Sequence, residues 1–319
     1  MTNNKIKYLR IFFLILVLFV NISAKFENKG ALKRTDQLLN ERNVKLKIDY
    51  KFSIKGHLSI LKVKMIIPET IINRQTINKL SFSIEPDSIY LLNSNKYALF
   101  TFKDVDKNFK ISIKCNLTIF STINNKNDHA DTSLAKYLLA EKNIESESAK
   151  IIETAAALKQ KTDIETVIKT FDYVTSTIRY EVNSAIGAEK VLETKVGKCM
   201  DYSDLFVALL RANKIPAKSM FGMVVDFDGD NPLHAWPEAY LKKQGWVRFD
   251  PTTGHSEISP SGNNYVMQIS NKYIVLSEGR NDMELHANIL QYYYKSGDSC
   301  NVKVTSSFDI AGQDNQNDY

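Results

Sequence analysis

From Val44 to about Ile123 the chain alternates apolar and polar residues with a period near two, as in KLKIDYKFSIKG, SILKVKMIIP, KLSFSIEP, YALFTF and FKISIKCNLTIF. A helix cannot gather that pattern on one face, whereas a strand places it on one side of a sheet. Val, Ile, Phe and Tyr are enriched, and Pro68, Pro86 and Asn-rich turns punctuate the runs. The segment therefore predicts antiparallel, half-buried strands of a small β-sandwich, with Cys115 an ordinary core residue in its last strand. The polar stretch Asn124 to Asp128 breaks the pattern. Apolar residues then recur at three and four (Ile151, Ile152, Ala155, Leu158; then Ile164, Val167, Ile168, Phe171, Val174), as in packing helices. After Lys218 the period returns to two in SMFGMVVDF, AWPEAYL and GWVRFDP. The fold class expected is α+β: a β-sandwich-like domain over residues 25–127, then a core of helices on an antiparallel sheet over residues 128–310, including C-terminal strands. Residues 311–319 read as a polar, disordered tail.

The amino terminus follows a different grammar. Lys5, Lys7 and Arg10 precede the apolar run Ile11 to Val20, and Asn21-Ile22-Ser23-Ala24 follows it. A basic start, a short apolar stretch and a small-residue exit describe a secretory signal peptide over residues 1–24. The run is short for a membrane span of about 20 residues, so cleavage is expected, with an uncleaved anchor as the alternative. The protein is expected to be exported, to a periplasm or the extracellular space. Membrane contact is expected only if the segment is retained.

The chain has a formal net charge of +6. Removing the signal segment lowers this to about +3, because the segment carries three basic residues and no acids. The remaining lysines are scattered along strand-like segments and form no phosphate-binding stripe, so nucleic acid is excluded as a partner. Three cysteines, Cys115, Cys199 and Cys300, leave at least one unpaired in an oxidising compartment. With Cys199 free, Cys115 and Cys300 are open to pairing.

Cys199 lies in KVGKCMDYSDLFVALLRANKIPAK, residues 195–218. Tyr202, Leu205, Phe206, Leu209 and Leu210 stand on one apolar helical face. Asn213 can take the left-handed position that ends the helix, and Pro216 prevents its continuation. Cys199 thus belongs to the first turn, where unpartnered N–H groups and the helix dipole favour an anion. A thiolate is stabilised there, and the same N–H groups can hold a developing oxyanion. Gly197 permits a tight turn or a close approach to substrate. A thiolate nucleophile also needs a base and a group to orient that base. His234, in NPLHAWPEAYL, opens one expected strand and Asp250, in GWVRFDPTTG, closes the next. A hairpin turning at Lys242 to Gly245 brings both to one end of the sheet, a nucleophile–base–orienter arrangement. The Asp226 to Asn231 stretch has Gly229 and Pro237 at positions that do not fit a calcium loop, and reads as a turn between strands.

The segment from about Tyr173 to Gly254 resembles the core of the transglutaminase-like superfamily, whose fold is similar to papain. Five pieces occur in order: Ile178-Arg179-Tyr180, Gly197-Lys198-Cys199-Met200-Asp201-Tyr202, Leu210-Arg211-Ala212-Asn213-Lys214-Ile215-Pro216-Ala217, His234-Ala235-Trp236 and Trp246-Val247-Arg248-Phe249-Asp250-Pro251-Thr252. Lys214 replaces the glycine usual in the third piece. The resemblance implies Cys199 as nucleophile, His234 as base and Asp250 as orienter, with no metal or other cofactor required. It implies thioester chemistry on protein or peptide amides, and the export signal adds cell-envelope proteins or cell-wall peptides to the expected substrates. Water as acceptor gives peptidase or amidase activity, and an amine gives acyl transfer. The alternative is a non-catalytic relative that keeps the fold as a binding or scaffold module. Trp236 and Trp246 are expected as core packing and site wall, and Tyr180 as either a second oxyanion donor or a core residue. Oligomeric state is left open.

Overall fold

The computed structural model describes residues 40–314 apart from 73, 122–133, 183–186, 228, 230, 257, 262–263, 268–270, 281–283, 286–287 and 298. The signal segment, the polar break at 124–128 and residues 315–319 lie outside the described residues. The described residues form one compact unit. Among the described residues no helix is long and apolar enough to cross a membrane.

The period-two segment forms β1 (Asn40–Lys55), β2 (Leu58–Ile67), β3 (Gln75–Phe82), β4 (Ser88–Leu92), β5 (Asn95–Val105) and β6 (Phe109–Ser121). Alternate residues of β1, namely Val44, Leu46, Ile48, Tyr50 and Phe52, are buried against Ile111, Ile113, Cys115, Leu117 and Ile119 of β6 and Leu61, Val63 and Met65 of β2. The chain then passes a 3-10 turn (Leu134–Leu138) into α1 (Ala149–Leu158), α2 (Asp163–Thr177), β7 (Arg179–Tyr180), α3 (Ala188–Thr194), β8 (Val196–Gly197) and α4 (Cys199–Ala212). There follow β9 (Ala217–Val224), β10 (Leu233–Leu241), β11 (Gly245–Asp250), β12 (His255–Ser256), β13 (Ile258–Ser261), β14 (Asn264–Met267) and β15 (Tyr273–Glu278). The described chain closes with β16 (Leu290–Lys295) and β17 (Asn301–Asp314).

The last two strands correct the sequence reading. They do not extend the helical core: β17 pairs with β1 and β16 pairs with β2. The sandwich is therefore two four-stranded sheets in the orders β17-β1-β6-β3 and β16-β2-β5-β4. Residues 311–314, read as tail, end β17, where Asp314 lies opposite Arg42 in the ladder. Polar side chains hide such a strand, because its backbone is satisfied by a partner far away in sequence. Cys115 and Cys300 are free thiols. Cys115 lies opposite Leu46, while Asn301, next to Cys300, lies opposite Lys55. Nine strand positions put the two thiols about 30 Å apart, far beyond disulfide reach.

The helical core packs on a five-stranded sheet in the order β12-β11-β10-β9-β15. Thr162 caps α2 in a reciprocal box with Glu165. The expected apolar face of α4 is buried, and so are Ser203, Asp204, Val207, Ala208 and Arg211 on its other sides. The reason is enclosure: α1, α2 and α3 cover the sides that the sheet does not. Arg211 tolerates this because its guanidinium donates to the carbonyls of Ala217 (2.9 Å) and Leu139 (2.5 Å) and pairs with Glu141 (2.6 Å).

The end of α4 also differs from expectation. Asn213 has φ −81°, and the left-handed residue is Lys214, with φ 65°. The Asn213 side chain instead donates to the Ala155 carbonyl at 2.7 Å, tying α4 to α1. Lysine at a left-handed position carries a steric cost that glycine does not. Lys214→Gly is therefore expected to raise stability by about 0.5–1 kcal/mol, after the greater backbone entropy of glycine offsets part of the gain. Denaturant unfolding checks this, and a lowered midpoint would contradict the strain argument.

Candidate active site

The first turn of α4 is anchored from both sides. The Asp201 carboxylate accepts from the Lys198 backbone N–H at 3.0 Å, and the Tyr202 hydroxyl donates to the Ile178 carbonyl at 2.6 Å. A Cβ on Gly197 would lie 2.8 Å from Cβ of Asp201, so glycine is needed for this curl of the chain. Arg280, from the segment after β15, underpins the same turn: it pairs with the buried Asp204 at 3.2 Å and reaches Met200 Sδ at 3.5 Å. Burial pushes the Asp204 carboxyl well above the usual carboxylate range, with the Arg280 charge opposing. As helix first-turn residues, Cys199 and Met200 present N–H groups with no partner inside the helix.

β10 and β11 form the expected hairpin, with Glu238 opposite Arg248. Side chains 234, 236 and 238 of β10 share a face with 246, 248 and 250 of β11. His234 and Asp250 are therefore diagonal neighbours, and His234 Nε2 lies 2.8 Å from Asp250 Oδ2. The other ring nitrogen is left for Cys199, whose sulfur is close enough to favour the charged imidazole. The structure thus brings together all three residues singled out in the sequence. Burial, the largest single influence on the ring, works against its charge, yet the hydrogen bonds and charges of Asp250 and Cys199 outweigh it and raise His234 to about 9. Burial likewise works against the Asp250 carboxylate, but His234, Tyr273 and Thr253 together hold it below its usual range. A histidine raised in the folded state stabilises the fold fully below about pH 6.5, and that contribution is lost as pH rises through about 9.

The surroundings sort the remaining candidates. Trp236 is fully buried, with its ring 6.3 Å from His234, and backs the site as expected. Trp246 does not: it sits at the other end of β11, under the Lys218 ammonium at 4.5 Å and beside Tyr137. Tyr180 is 52% exposed and close enough to Cys199 to feel its charge, so it is not a core residue. The parallel pairing of β7 and β8, with Tyr180 opposite Gly197, puts it there. Two residues escaped the sequence reading. Gly222 lies opposite His234, and a side chain there would collide with the Ile274 carbonyl and meet the Trp236 ring at 3.0 Å. Tyr273 donates to Asp250 Oδ2 at 2.9 Å. The only signal for Tyr273 was its place at the start of the apolar run YIVL.

A buried helix presenting a cysteine at its N-terminus to a histidine and a carboxylate on an antiparallel hairpin defines a papain-like arrangement of the transglutaminase type. Residues 152–251 match the profile of the transglutaminase-like superfamily, and the chain carries a transglutaminase-like core domain there. An uncharacterized Bacillus subtilis protein, YebA, is 32% identical over 99 residues, covering 26% of this chain and 13% of that protein. The chain thus spans a small part of this relative's length. Among solved structures, one described as a candidate cysteine protease from Cytophaga hutchinsonii aligns over 87% of this chain and 92% of its own, with a TM-score of 0.65 and 17% identity. That likeness extends the shared fold to the sandwich as well as the core. The periplasmic domain of TgpA from Pseudomonas aeruginosa aligns over 64% of this chain and 75% of its own, at 16% identity and a TM-score of 0.38.

In His234→Ala the rate of Cys199 alkylation by iodoacetamide at pH 6 is expected to fall at least about tenfold, because no imidazolium remains to support the thiolate. Peptide mass spectrometry reads wild type and variant side by side, and identical rates would contradict the pairing.

Proposed function

We propose that this protein is an exported thiol enzyme acting on protein or peptide amide bonds, with Cys199 as nucleophile, His234 as acid and base, and Asp250 as orienter. The observation that carries the reading is the 2.8 Å His234–Asp250 hydrogen bond, with Cys199, at the N-terminus of a buried helix, near enough to favour the charged imidazole. The Cys199 thiolate attacks the carbonyl carbon, forming a C–S bond and an oxyanion beside the first-turn N–H groups of α4. Collapse breaks the C–N bond while protonated His234 gives its proton to the leaving amine. Water, deprotonated by His234, then attacks the thioester, releasing a carboxylate and restoring the thiolate. An amine in place of water would give acyl transfer. Hydrolysis is favoured because Cys199 is half-buried beside an exposed Tyr180, which leaves water access to the acyl group. The partly exposed Tyr180 hydroxyl is the proposed second oxyanion donor. Export rests on the signal-like pattern of residues 1–24.

Incubation with a mixed peptide library, with and without an added primary amine, tests the reading by mass spectrometry. Hydrolysed products are expected to dominate even with amine present. Cys199→Ala should abolish them, a loss on the order of 10⁴-fold or more, and Tyr180→Phe should lower kcat about 10- to 100-fold with KM little changed. Absence of any turnover or acyl-enzyme in the wild type would overturn the reading and leave a binding module.

A further inference from the structure

We infer that Tyr273 is a positioning residue of the Cys199 site, its hydroxyl locking the Asp250 carboxylate that orients His234, and that the β-sandwich holds Tyr273 in place. This rests on the Cys199–His234–Asp250 reading above. Asp250 Oδ2 accepts two hydrogen bonds, from His234 Nε2 at 2.8 Å and from the Tyr273 hydroxyl at 2.9 Å, while Oδ1 accepts the Thr253 N–H at 3.3 Å. Without the tyrosine, the oxygen facing the imidazole would be held by the imidazole alone, which cannot both be oriented by the carboxylate and orient it. The tyrosine is itself fixed. It is 3% exposed, its ring lies 4.8 Å from that of Trp236, and the Arg248 guanidinium sits 4.8 Å from its centroid. Lys272 contributes a second cation at 5.9 Å. Cations over a phenol ring draw charge from it and make its hydroxyl a stronger donor.

Tyr273 opens β15, which among the described residues is an edge strand of the core sheet, paired with β9. On its outer edge no strand follows among the described residues, and two side-chain amides from the sandwich take that place. Gln75 accepts from the Val275 N–H at 2.8 Å and donates to the Val275 carbonyl at 2.9 Å. Asn95 does the same to Glu278, at 2.8 Å and 3.1 Å. Both amides are buried, at 0% and 2% exposure. They mimic the ladder of a missing neighbour and set the strand that carries the hydroxyl. The site is thus completed by a residue beyond the family-matched core, held by a domain that carries none of the reacting groups.

The groups facing Asp250 are His234 from β10, Tyr273 from β15 and Thr253 from the following turn, with Cys199 of α4 behind the imidazole and Arg248 and Lys272 over the phenol. Burial favours the protonated carboxyl and the Tyr273 donor opposes it. Loss of the donor lets Asp250 take its proton at higher pH, which weakens the imidazolium and with it the thiolate.

The test is the pH profile of Cys199 alkylation by iodoacetamide in the wild type, Tyr273→Phe and Asp250→Asn, with thermal midpoints alongside. Tyr273→Phe keeps the ring, so its midpoint should stay close to the wild type while its acid limb moves up by about one pH unit. Asp250→Asn should disturb the limb further. In a fourth protein, 3,5-difluorotyrosine at position 273 keeps shape and donates more strongly, so its acid limb should move down, which a merely structural tyrosine would not cause. If Asp250→Asn moves the profile but neither change at 273 does, the inference is wrong and the triad reading stands. If no variant moves it, the triad reading fails and the inference with it.

Discussion

Two charges cannot be held inside a protein unless each answers the other, and the His234–Asp250 pair is where this chain meets that constraint. Burial is the dominant influence on both groups and disfavours the charge of each. Breaking such a pair by removing one partner leaves the other stranded, at a cost of about 3–5 kcal/mol. The surrounding architecture serves to hold the pair. β10 and β11 set the diagonal, Gly222 lets β15 and Trp236 close behind it, and the N-terminus of α4 brings Cys199 near enough to support the imidazole's charge.

The sandwich is part of that support, not an appendage. Its residues Met65, Phe100 and Ile113 share one apolar cluster with Met223, Ile274 and Leu276 of the core sheet. Arg74, at the entry to β3, inserts beside the buried Glu238 at 3.3 Å and donates to the Trp246 carbonyl at 2.8 Å. Glu238 also faces Lys218 and Arg248, and Lys218 pairs with Glu278 at 2.7 Å. Burial opposes the charge of Glu238, but the three cations hold its carboxyl below the usual range. This ionic tier lies two pleat repeats along β10 from His234, on the same face of the sheet. A shift of the sandwich would therefore be felt on the face that carries the site.

Much of this was legible in the sequence because it is written locally. Period two marks β1 to β6, period three and four marks the helices, and the order Gly197, Cys199, His234, Asp250 marks the site before any packing is known. What was hidden depends on partners far away. β17 is polar enough to read as tail, and only its ladder to β1 makes it a strand. Tyr273 is one aromatic residue in an apolar run until Asp250, twenty-three residues earlier, is placed against it. Lys214 holds the left-handed position at the end of α4, while the Asn213 side chain is engaged with α1 through a bond to Ala155, a partner that lies far away in sequence.

The central claim is that a charged imidazole is held between thiol and carboxylate, and the most direct measurement is an NMR titration of His234. The imidazole should titrate at about 9 with Cys199 free and markedly lower once the thiol is capped by methyl methanethiosulfonate, because the thiolate no longer supports its charge. A value near the ordinary 6.5, the same before and after capping, would contradict the account.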